Sequence, residues 1–297
     1  MFYYRRKIIL ALLQIFNKML QNTEFQKYLF LFTKEQDLPS FDFVPYKYGC
    51  FSFQALYDKK PLIEQGLLGN DTNRWIKISN IDYLNQLKPK DIEALKKIKT
   101  QFSQFTLRKL IRYIYIKYPY FTQNSEIQEQ YLNADEIRII YEENQKENSQ
   151  CLYTIGYEGS SLENYLNRLI KNNIKTVIDV RDNPISMKYG FSKNSLKNFL
   201  NKMGIEYIHI PELGITSSLR KKYLQPVNID HEGLFSIYKE EILPDKNKYF
   251  DKIYSSLIKQ NRIALTCFEA DYKLCHRSIV AEKTSYNYAG KLPIKHI

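Results

Sequence analysis

The sequence lacks the features that mark membrane-spanning, disulfide-bonded and low-complexity proteins. None of its apolar runs approaches the ~18–20 residues that a membrane span needs, so a transmembrane protein is excluded. Four cysteines in 297 residues are too few for a disulfide scaffold, and reduced thiols are therefore expected. The apolar run at residues 8–13 follows basic residues, as in a signal peptide, but it is short and no small-residue cleavage site follows it. We therefore predict an amphipathic helix there and a cytoplasmic protein.

The composition is that of a folded chain with an excess of positive charge. Hydrophobic residues make up 44% and aromatic residues 14% of the sequence, which is enough apolar surface for one large domain or two ordinary ones. The net charge of +12 favours a polyanionic partner, because lysine and arginine neutralise phosphates. An AT-rich coding bias would also enrich a chain in Lys, Asn, Ile and Tyr. Charge alone therefore leaves nucleic-acid binding open.

A polar stretch at residues 142–150 divides the sequence into two parts. It is rich in Glu, Asn and Gln, which is typical of a linker. The net charge is +5 in residues 1–148 and +7 in residues 149–297, so neither part is a basic tail. We predict a first domain at residues 1–148 and a second domain at residues 149–297, without internal repeats.

The first domain is predicted to be mostly helical. Its apolar residues recur at helical spacing in several stretches, and one short alternating stretch indicates a strand. Three helices followed by Gly-Leu-Leu and a strand are typical of a winged helix, which is a recognition module for nucleic acid or protein; a helical dimerisation or packing domain fits the same pattern. The predicted helices cover residues 6–20, a segment capped by Thr23, residues 53–65 with a bend or break at Pro61, and residues 89–100 and 104–118, and the strand covers residues 75–78.

The second domain alternates between strand and helix periodicities. The stretch at residues 176–180 is almost continuously apolar, as expected for a strand that is covered on both faces. Alternating strands and helices with short connections predict an α/β domain with a parallel, doubly wound, three-layer sheet. The predicted strands cover residues 152–155, 176–180, 207–210 and 263–268, and the predicted helices cover residues 162–170, 196–203, 234–242, 247–260 and a last segment from Cys275.

Titratable and reactive side chains directly follow the predicted strands of the second domain. Ligands of open parallel sheets bind outside the carboxyl ends of the strands, so we expect these side chains to meet in one pocket. Cys275 opens a helix beside His276 and Arg277, where dipoles and cations should lower a thiol pKa. Glu269 lies in an apolar context that suits a general acid or base. The candidate catalytic residues are Glu269, Cys275 and His276, and the candidate substrate-binding residues are Tyr157, Glu158, Asp179, Arg181, Arg220, Cys267 and Arg277.

These candidates also have structural interpretations. Cys275 would then be a small residue that packs at the start of a helix, and Glu269 would pair with Arg181 or Arg277. The two arginines suit a bidentate grip on a phosphate or a carboxylate. Asp179, at the end of an apolar strand, is expected to orient Arg181 rather than to react.

A zinc site is the alternative for the two cysteines of this region. Cys267, Cys275 and His276, with His209 or His231 as a fourth ligand, could form a zinc shell. Seven residues separate the cysteines, which does not match the short spacings of structural zinc motifs. The placement on a strand, a loop and a helix suits a pocket better. We therefore predict no metal and no other cofactor, and we interpret Cys267 as core or pocket lining.

Four ordered motifs of the second domain resemble the domain of unknown function 488 family. The resemblance covers about residues 152–288 and implies a fold and a pocket rather than a defined activity. Many members carry Gly-His-Ser where this chain has Gly-Tyr-Glu, so a histidine role does not carry over to Tyr157. The motifs are Thr-Ile-Gly-Tyr-Glu-Gly at residues 154–159, Ile-Asp-Val-Arg-Asp-Asn-Pro-Ile-Ser at 178–186, Pro-Glu-Leu-Gly at 211–214, and Cys-Phe-Glu-Ala-Asp at 267–271 with Cys-His-Arg at 275–277.

Two partial resemblances add context. Asp-Val-Arg at residues 179–181 and a late strand that ends in Cys267 are similar to rhodanese-type sulfurtransferases, although the reactive cysteine of that fold opens a tight loop that closes on an arginine, and here Arg277 is ten positions away. In the first domain, residues 26–30 and 43–49 resemble small prokaryotic domains related to the Panacea antitoxin group, over about residues 6–80. The combination of such a first domain with a second domain that resembles the domain of unknown function 488 family implies a role in prokaryotic conflict systems such as phage defence.

Three functions are consistent with the sequence. The favoured one is an enzyme that acts on a nucleotide or a nucleic-acid base, hydrolase or glycosylase-like, in which Arg181, Arg220 and Arg277 hold phosphate. The second is a thiol-based sulfurtransferase or redox enzyme that uses Cys275 or Cys267. The third is a non-catalytic ligand sensor or antitoxin-like binding protein. The expected partners are a nucleotide, DNA or RNA, with no membrane, and a homo-oligomer is compatible with the sequence.

Overall fold

The structure is a computed structural model that describes residues 3–225, 228–288 and 292–297. The chain divides into two structural units, Met1–Gln145 and Lys146–Ile297. The division falls inside the polar stretch at residues 142–150, three residues before the predicted boundary. In the described part of the chain, no helix has the length and the apolar character required to cross a membrane.

The first unit consists mainly of helices, as predicted. Its short strands form two antiparallel pairs, β1 with β4 and β2 with β3, and the winged-helix interpretation of this arrangement stays a prediction. Within the described residues, the helices are α1 Tyr4–Ile15, α2 Asn22–Glu35, α3 Phe53–Glu64, α4 Pro89–Phe102, α5 Leu107–Lys117, α6 Gln128–Tyr131 and α7 Ala134–Glu143, and the strands are β1 Met19–Gln21, β2 Val44–Tyr46, β3 Gly49–Phe51 and β4 Arg74–Ile76.

Three helices of this unit differ from their predictions, two at a boundary and one in its interior. The first helix ends at Ile15 because Asn17 and Lys18 adopt positive φ angles of 64° and 68°, which a right-handed helix cannot contain. The second helix starts one residue before Thr23, since Gln21 forms a capping box with Glu24. The third helix runs as one element through Pro61, where the sequence predicts a bend or a break.

The second unit is built around a five-stranded sheet in which all strands are parallel. The strand order is β11-β5-β10-β6-β7. In the described residues, the strands are β5 Cys151–Gly156, β6 Thr176–Asp179, β7 Glu206–His209, β8 Leu224–Gln225, β9 Asn228–Ile229, β10 Arg262–Cys267 and β11 Ile294–His296, and the helices are α8 Leu162–Lys171, α9 Lys193–Lys202, α10 Ser217–Tyr223, α11 His231–Ile237, α12 Asn247–Gln260 and α13 His276–Asn287.

Helices cover both faces of this sheet, which gives the predicted three layers. On one face, the Tyr165 hydroxyl of α8 donates to Thr266 Oγ1 of β10 at 2.9 Å. On the other face, Leu265 belongs to the same core as Phe250 of α12 and Val280 of α13. Thr266 and Leu265 are successive residues, and successive side chains of a strand point to opposite faces. The second unit is therefore an α/β domain with a doubly wound parallel sheet.

The central strand marks the point where the chain changes direction across the sheet. β10 enters late in the sequence, between β5 and β6, and its carboxyl end leads into the loop at residues 268–275. Such switch points form the crevices in which α/β sheets bind ligands. The edge strand β11 was not predicted, because its three residues are too few to show an alternating pattern.

Candidate active site

The reactive side chains of the second unit lie around the loop at residues 268–275. Cys267 ends the central strand, and Cys275 directly precedes α13. We call Cys267, Glu269, Cys275 and His276 the thiol cluster. Its side chains come from both ends of a single loop, so the fold needs only the strand–loop–helix connection to bring them together.

Short distances connect the members of the thiol cluster. The Cys267 Sγ lies 3.3 Å from Glu269 Oε2 and 3.8 Å from His276 Nδ1. One side-chain donor atom from each of Cys267, Cys275 and His276 lies within 4.8 Å of the other two. The exposed fractions of these three residues are 0%, 1% and 2%. The thiols and the imidazole are therefore shielded from bulk solvent and act strongly on one another.

A backbone carbonyl fixes the orientation of the His276 ring. The ring nitrogen Nε2 lies 3.0 Å from the Val180 carbonyl oxygen. A carbonyl only accepts, so Nε2 carries a proton and donates it, and Nδ1 is left to face Cys267. The Tyr238 ring meets the His276 ring edge-on at 5.6 Å, and the Tyr238 hydroxyl donates to the Leu213 carbonyl. The imidazole is thus held on three sides.

The two thiols have opposite pKa shifts. A hydrogen bond from Cys275 lowers the pKa of the Cys267 thiol well below its ordinary value, and the charge and hydrogen bond of His276 lower it further against the opposing effect of burial. Burial raises the pKa of the Cys275 thiol well above its ordinary value, and the bond to Cys267 and the charges of Cys267 and Glu269 raise it further. Cys267 is therefore the more acidic thiol of the pair, and its sulfur is also the one in contact with the His276 ring.

This assignment of the more acidic thiol is the reverse of the sequence-based prediction. That prediction has Cys275 as the nucleophile and Cys267 as core or pocket lining. The prediction relied on cations next to Cys275 in the sequence. In the fold, however, the His276 ring contacts Cys267, and Arg277 has only a minor effect on the pKa of Cys275. Tertiary contacts therefore outweigh the neighbours in the chain.

The other two members of the thiol cluster titrate at higher pH than usual. Burial raises the pKa of the Glu269 carboxyl, and the negative charge of Cys267 adds to the shift. Burial by itself lowers the pKa of His276, but the charge and hydrogen bond of Cys267, together with the bond to Val180, outweigh it, and the net shift is upward. The Glu269 carboxyl and the His276 ring, both with raised pKa values, therefore face the Cys267 sulfur.

One half-buried arginine of α10 acts on the thiol cluster through its charge. The positive charge of Arg220 lowers the pKa values of Cys267, Glu269 and His276. The sequence analysis predicts that Arg220 binds substrate, and this role stays a prediction.

A second group of predicted site residues forms a closed ion-pair network. The Arg181 guanidinium donates from Nε to Asp179 Oδ1 at 2.8 Å and from Nη2 to Oδ2 at 2.5 Å. Its Nη1 donates to the Tyr157 hydroxyl at 2.7 Å and to the Phe191 carbonyl at 3.0 Å. The Tyr207 hydroxyl also donates to Asp179 Oδ2, at 2.7 Å. Asp179 orients Arg181 as predicted, but Arg181 holds protein groups rather than the predicted phosphate.

This network also lies on the other face of the sheet from the thiol cluster. Asp179 is aligned with Thr266 in the register of β6 and β10, so its side chain shares the face of Thr266, whereas Cys267 points to the opposite face. The ring of Tyr157 stacks on Phe191 at 4.3 Å and belongs to the same network. The single pocket expected from the sequence is therefore divided in two by the sheet.

Two further predicted ligand residues hold the backbone of the loop. Arg277 is 1% exposed and donates to the carbonyls of Glu269 at 2.6 Å and Ala270 at 3.1 Å. Glu158 accepts from the Ala270 amide at 2.9 Å. A Cβ atom on Gly156 would lie 1.8 Å from the Glu269 carbonyl oxygen, so only glycine allows this close approach. Two of the three guanidinium nitrogens of Arg277 thus make structural contacts, its buried Nε has no hydrogen-bond partner in the described part of the chain, and its phosphate contact stays a prediction.

The donor atoms of Cys267, Cys275 and His276 also form a set of the kind that binds Zn²⁺. The structure brings together these three of the residues considered for zinc, and among the described residues neither His209 nor His231 belongs to that group of donor atoms. The charge of Arg220 acts on the same group of atoms, which opposes the approach of a second cation.

Two features of the thiol cluster left no signal in the sequence. The Val180 carbonyl that orients His276 is a backbone group. The sequence predicts one regular helix over residues 234–242, which includes Tyr238. In the structure, α11 ends at Ile237 and a π-helical turn, Tyr238–Ile242, follows it. Such turns are frequent at functional sites.

The fold and the site define a parallel α/β domain with a buried thiol cluster at the end of its central strand. Residues 161–284 match the protein family described as Domain of unknown function DUF488. The second unit therefore contains a domain of this family, as its motifs predicted. The match includes the thiol cluster and does not reach the first unit, whose resemblance to the Panacea group is not confirmed. No curated protein and no solved structure matches the chain.

Proposed function

We propose that the second unit is a thiol-dependent enzyme in which Cys267 attacks an electrophilic sulfur atom of its substrate. The contact between Cys267 Sγ and His276 Nδ1, with Nε2 anchored on the Val180 carbonyl, supports this proposal most strongly. It is the second of the three functions considered from the sequence. The nucleotide hydrolase, which was favoured there, has less support because Arg181 and Arg277 are occupied by protein groups.

The first step of the proposed mechanism forms the thiolate. His276 Nδ1 accepts the proton of the Cys267 thiol, because Nε2 already donates to the Val180 carbonyl. The product is a thiolate–imidazolium pair, and only the thiolate form of a cysteine is strongly nucleophilic. The pair is buried, so the attraction between its charges is weakly screened.

The second step is nucleophilic displacement at sulfur. The thiolate electron pair forms a bond to the substrate sulfur, and the bond from that sulfur to the leaving group breaks, with its electron pair going to the leaving group. Glu269 donates the proton that neutralises the leaving group, since its carboxyl lies 3.3 Å from the Cys267 sulfur and burial raises its pKa. Glu269 is also partly exposed, whereas Cys267 is buried. Arg220 would bind an anionic part of the substrate.

The relative alkylation rates of the four cysteines give a direct test of this proposal. Iodoacetamide is expected to modify Cys267 at least about tenfold faster than Cys50, Cys151 or Cys275 at pH 7, where only ~3% of an ordinary thiol with a pKa near ~8.5 is ionised. Burial raises the pKa values of the other three thiols. Peptide mass spectrometry of quenched samples between pH 5 and pH 9 measures the rate at each site.

A matched variant controls this experiment. Cys151→Ser should leave the rate at Cys267 unchanged, and Cys267→Ser should remove the fast reaction altogether. Modification of Cys267 no faster than that of Cys151, or only after unfolding in urea, would contradict the proposed function.

The role of Arg220 gives a second prediction, based on the charge of the reagent. Arg220→Gln should lower the rate of Cys267 with anionic iodoacetate relative to neutral iodoacetamide by about three- to tenfold, because a nearby cation attracts anions. Lys222→Gln makes the same charge change on the same helix, at an exposed position, and should leave the ratio of the two rates unchanged. If both variants change the ratio equally, Arg220 acts only through the net charge.

A further inference from the structure

We infer that Cys275 is the resolving thiol of this site, which closes a disulfide with Cys267 and makes the domain a reductant of disulfides. The inference rests on the proposed function and adds its substrate class. It depends on the second thiol of the cluster, which a simple thiol-transfer reaction would not need.

The placement of Cys275 suits this role. Its sulfur lies within 4.8 Å of the Cys267 sulfur. Cys275 has φ −135° and ψ 134° and so lies outside α13, and its side chain makes no capping hydrogen bond to the helix. A disulfide needs an S–S distance of about 2.05 Å. Rotation of the Cys275 side chain from an extended residue of the loop can shorten the distance without unwinding α13.

The other two cysteines are not placed to act as the resolving thiol. Cys50 belongs to the first unit, where its sulfur contacts Lys27 Nζ at 3.6 Å. Cys151 starts β5, at the amino end of the sheet, and its sulfur lies 3.3 Å from the Pro293 carbonyl oxygen. Since Cys267 ends β10 at the opposite, carboxyl edge, the second unit offers a single partner for Cys267.

The reaction balances in two displacements. First, the Cys267 thiolate attacks a disulfide R–S–S–R, which gives the mixed disulfide Cys267–S–S–R and releases the first R group as R–SH with the proton that Glu269 donates. Second, the Cys275 thiol attacks the Cys267 sulfur of the mixed disulfide, which gives the Cys267–Cys275 disulfide and releases the second R group as R–SH, with the proton that Cys275 loses. The substrate gains two electrons, and the cysteine pair loses two. A cellular dithiol would be needed to return the pair to its reduced form.

The dianionic reagent 5,5′-dithiobis(2-nitrobenzoate), one equivalent per chain, serves as the probe. The wild-type protein is expected to release two coloured aryl thiolates per reagent molecule and to lose the mass of two hydrogens. Cys275→Ser should release one aryl thiolate and keep the other as a mixed disulfide on Cys267. Trypsin cleaves after Lys273, between the two cysteines, so the wild-type disulfide joins two peptides that separate on reduction.

The variants and outcomes separate the inference from the proposed function. Cys275→Ala and thermal unfolding of both variants test whether a loss of reactivity reflects misfolding, and Cys151→Ser should behave as wild type. If Cys267 reacts rapidly but wild type and Cys275→Ser retain the same mixed disulfide, Cys275 does not resolve it, and only the inference fails. If Cys267 is unreactive, the proposed function fails as well. If the purified chain carries one equivalent of zinc and reacts only after chelation, the cluster is a metal site and the inference is overturned.

Discussion

Arg181→Met is expected to lower the free energy of unfolding of the second unit by about 3–5 kcal/mol, the usual cost of removing one partner from a buried ion pair. The side chains of Arg181 and Asp179 are 4% and 0% exposed. Without the guanidinium, Asp179 would remain charged and buried, with the Tyr207 hydroxyl as its remaining side-chain donor of the network. Denaturant-dependent hydrogen exchange in peptides from β6 measures the change in this unit separately.

A double-mutant cycle shows whether the cost comes from the unpaired charge. Asp179→Leu combined with Arg181→Met should be less destabilising than the sum of the two single changes, because the double variant leaves no unpaired charge in the core. Arg220→Gln serves as the comparison and should cost less than about 1 kcal/mol, since Arg220 is half-buried and outside the ion-pair network. Unchanged stability of Arg181→Met, together with loss of anion binding, would restore the ligand role predicted from the sequence.

The sequence predicted the sheet and the edge of the site because both depend on local patterns. Apolar strands that alternate with amphipathic helices led to the parallel order, and the residues after those strands lie at one edge of the sheet. The face of the sheet on which each side chain lies could not be predicted in the same way. It depends on the register of β6 against β10, which aligns Asp179 with Thr266 and not with Cys267. The sequence contains no local signal for that register.

The roles of the arginines and cysteines failed for a different physical reason. A guanidinium that suits a phosphate suits carboxylates and backbone carbonyls equally well, and the fold directs Arg181 to Asp179 and Arg277 to the loop carbonyls. The thiol pKa values depend on contacts across the loop, where Cys275 donates to Cys267. Helix position and sequence neighbours are weaker influences than such buried contacts.

The first unit is mostly helical and lies outside the matched family domain. Its helical content agrees with the sequence, but the proposed chemistry lies entirely in the second unit, and a role in phage defence or in binding DNA, RNA or a nucleotide stays a proposal. Charge does not distinguish the two units, since each predicted domain is basic, at +5 and +7. Salt-dependent retention on DNA, measured on the full chain, would separate phosphate binding from a compositional excess of lysine.

His276→Gln is expected to reduce the alkylation rate of Cys267 about 10- to 100-fold near pH 6.5 and by less than about threefold near pH 9.5. The imidazolium lowers the pKa of Cys267 by its charge and its hydrogen bond, so its removal returns the thiol toward ordinary ionisation. The sign follows from the reactive form: the thiolate exists above the pKa of Cys267, and a lower pKa extends reactivity to lower pH. The contact with Cys267 raises the pKa of His276, so its imidazolium persists to higher pH than that of an ordinary histidine. The complete pH–rate profile of each protein measures the shift.

His209→Gln is the matched control for this prediction. It makes the same substitution at a histidine whose Nε2 contacts the Arg181 carbonyl, away from the sulfur atoms, and its profile should overlap that of wild type. A thiolate–imidazolium pair predicts that His276→Gln moves the midpoint of the profile upward, whereas a loss of packing alone would lower the rate equally at every pH. Coincident profiles for wild type and His276→Gln would mean that no such pair forms, and the nucleophile would then have to be sought outside the contact between Cys267 and His276.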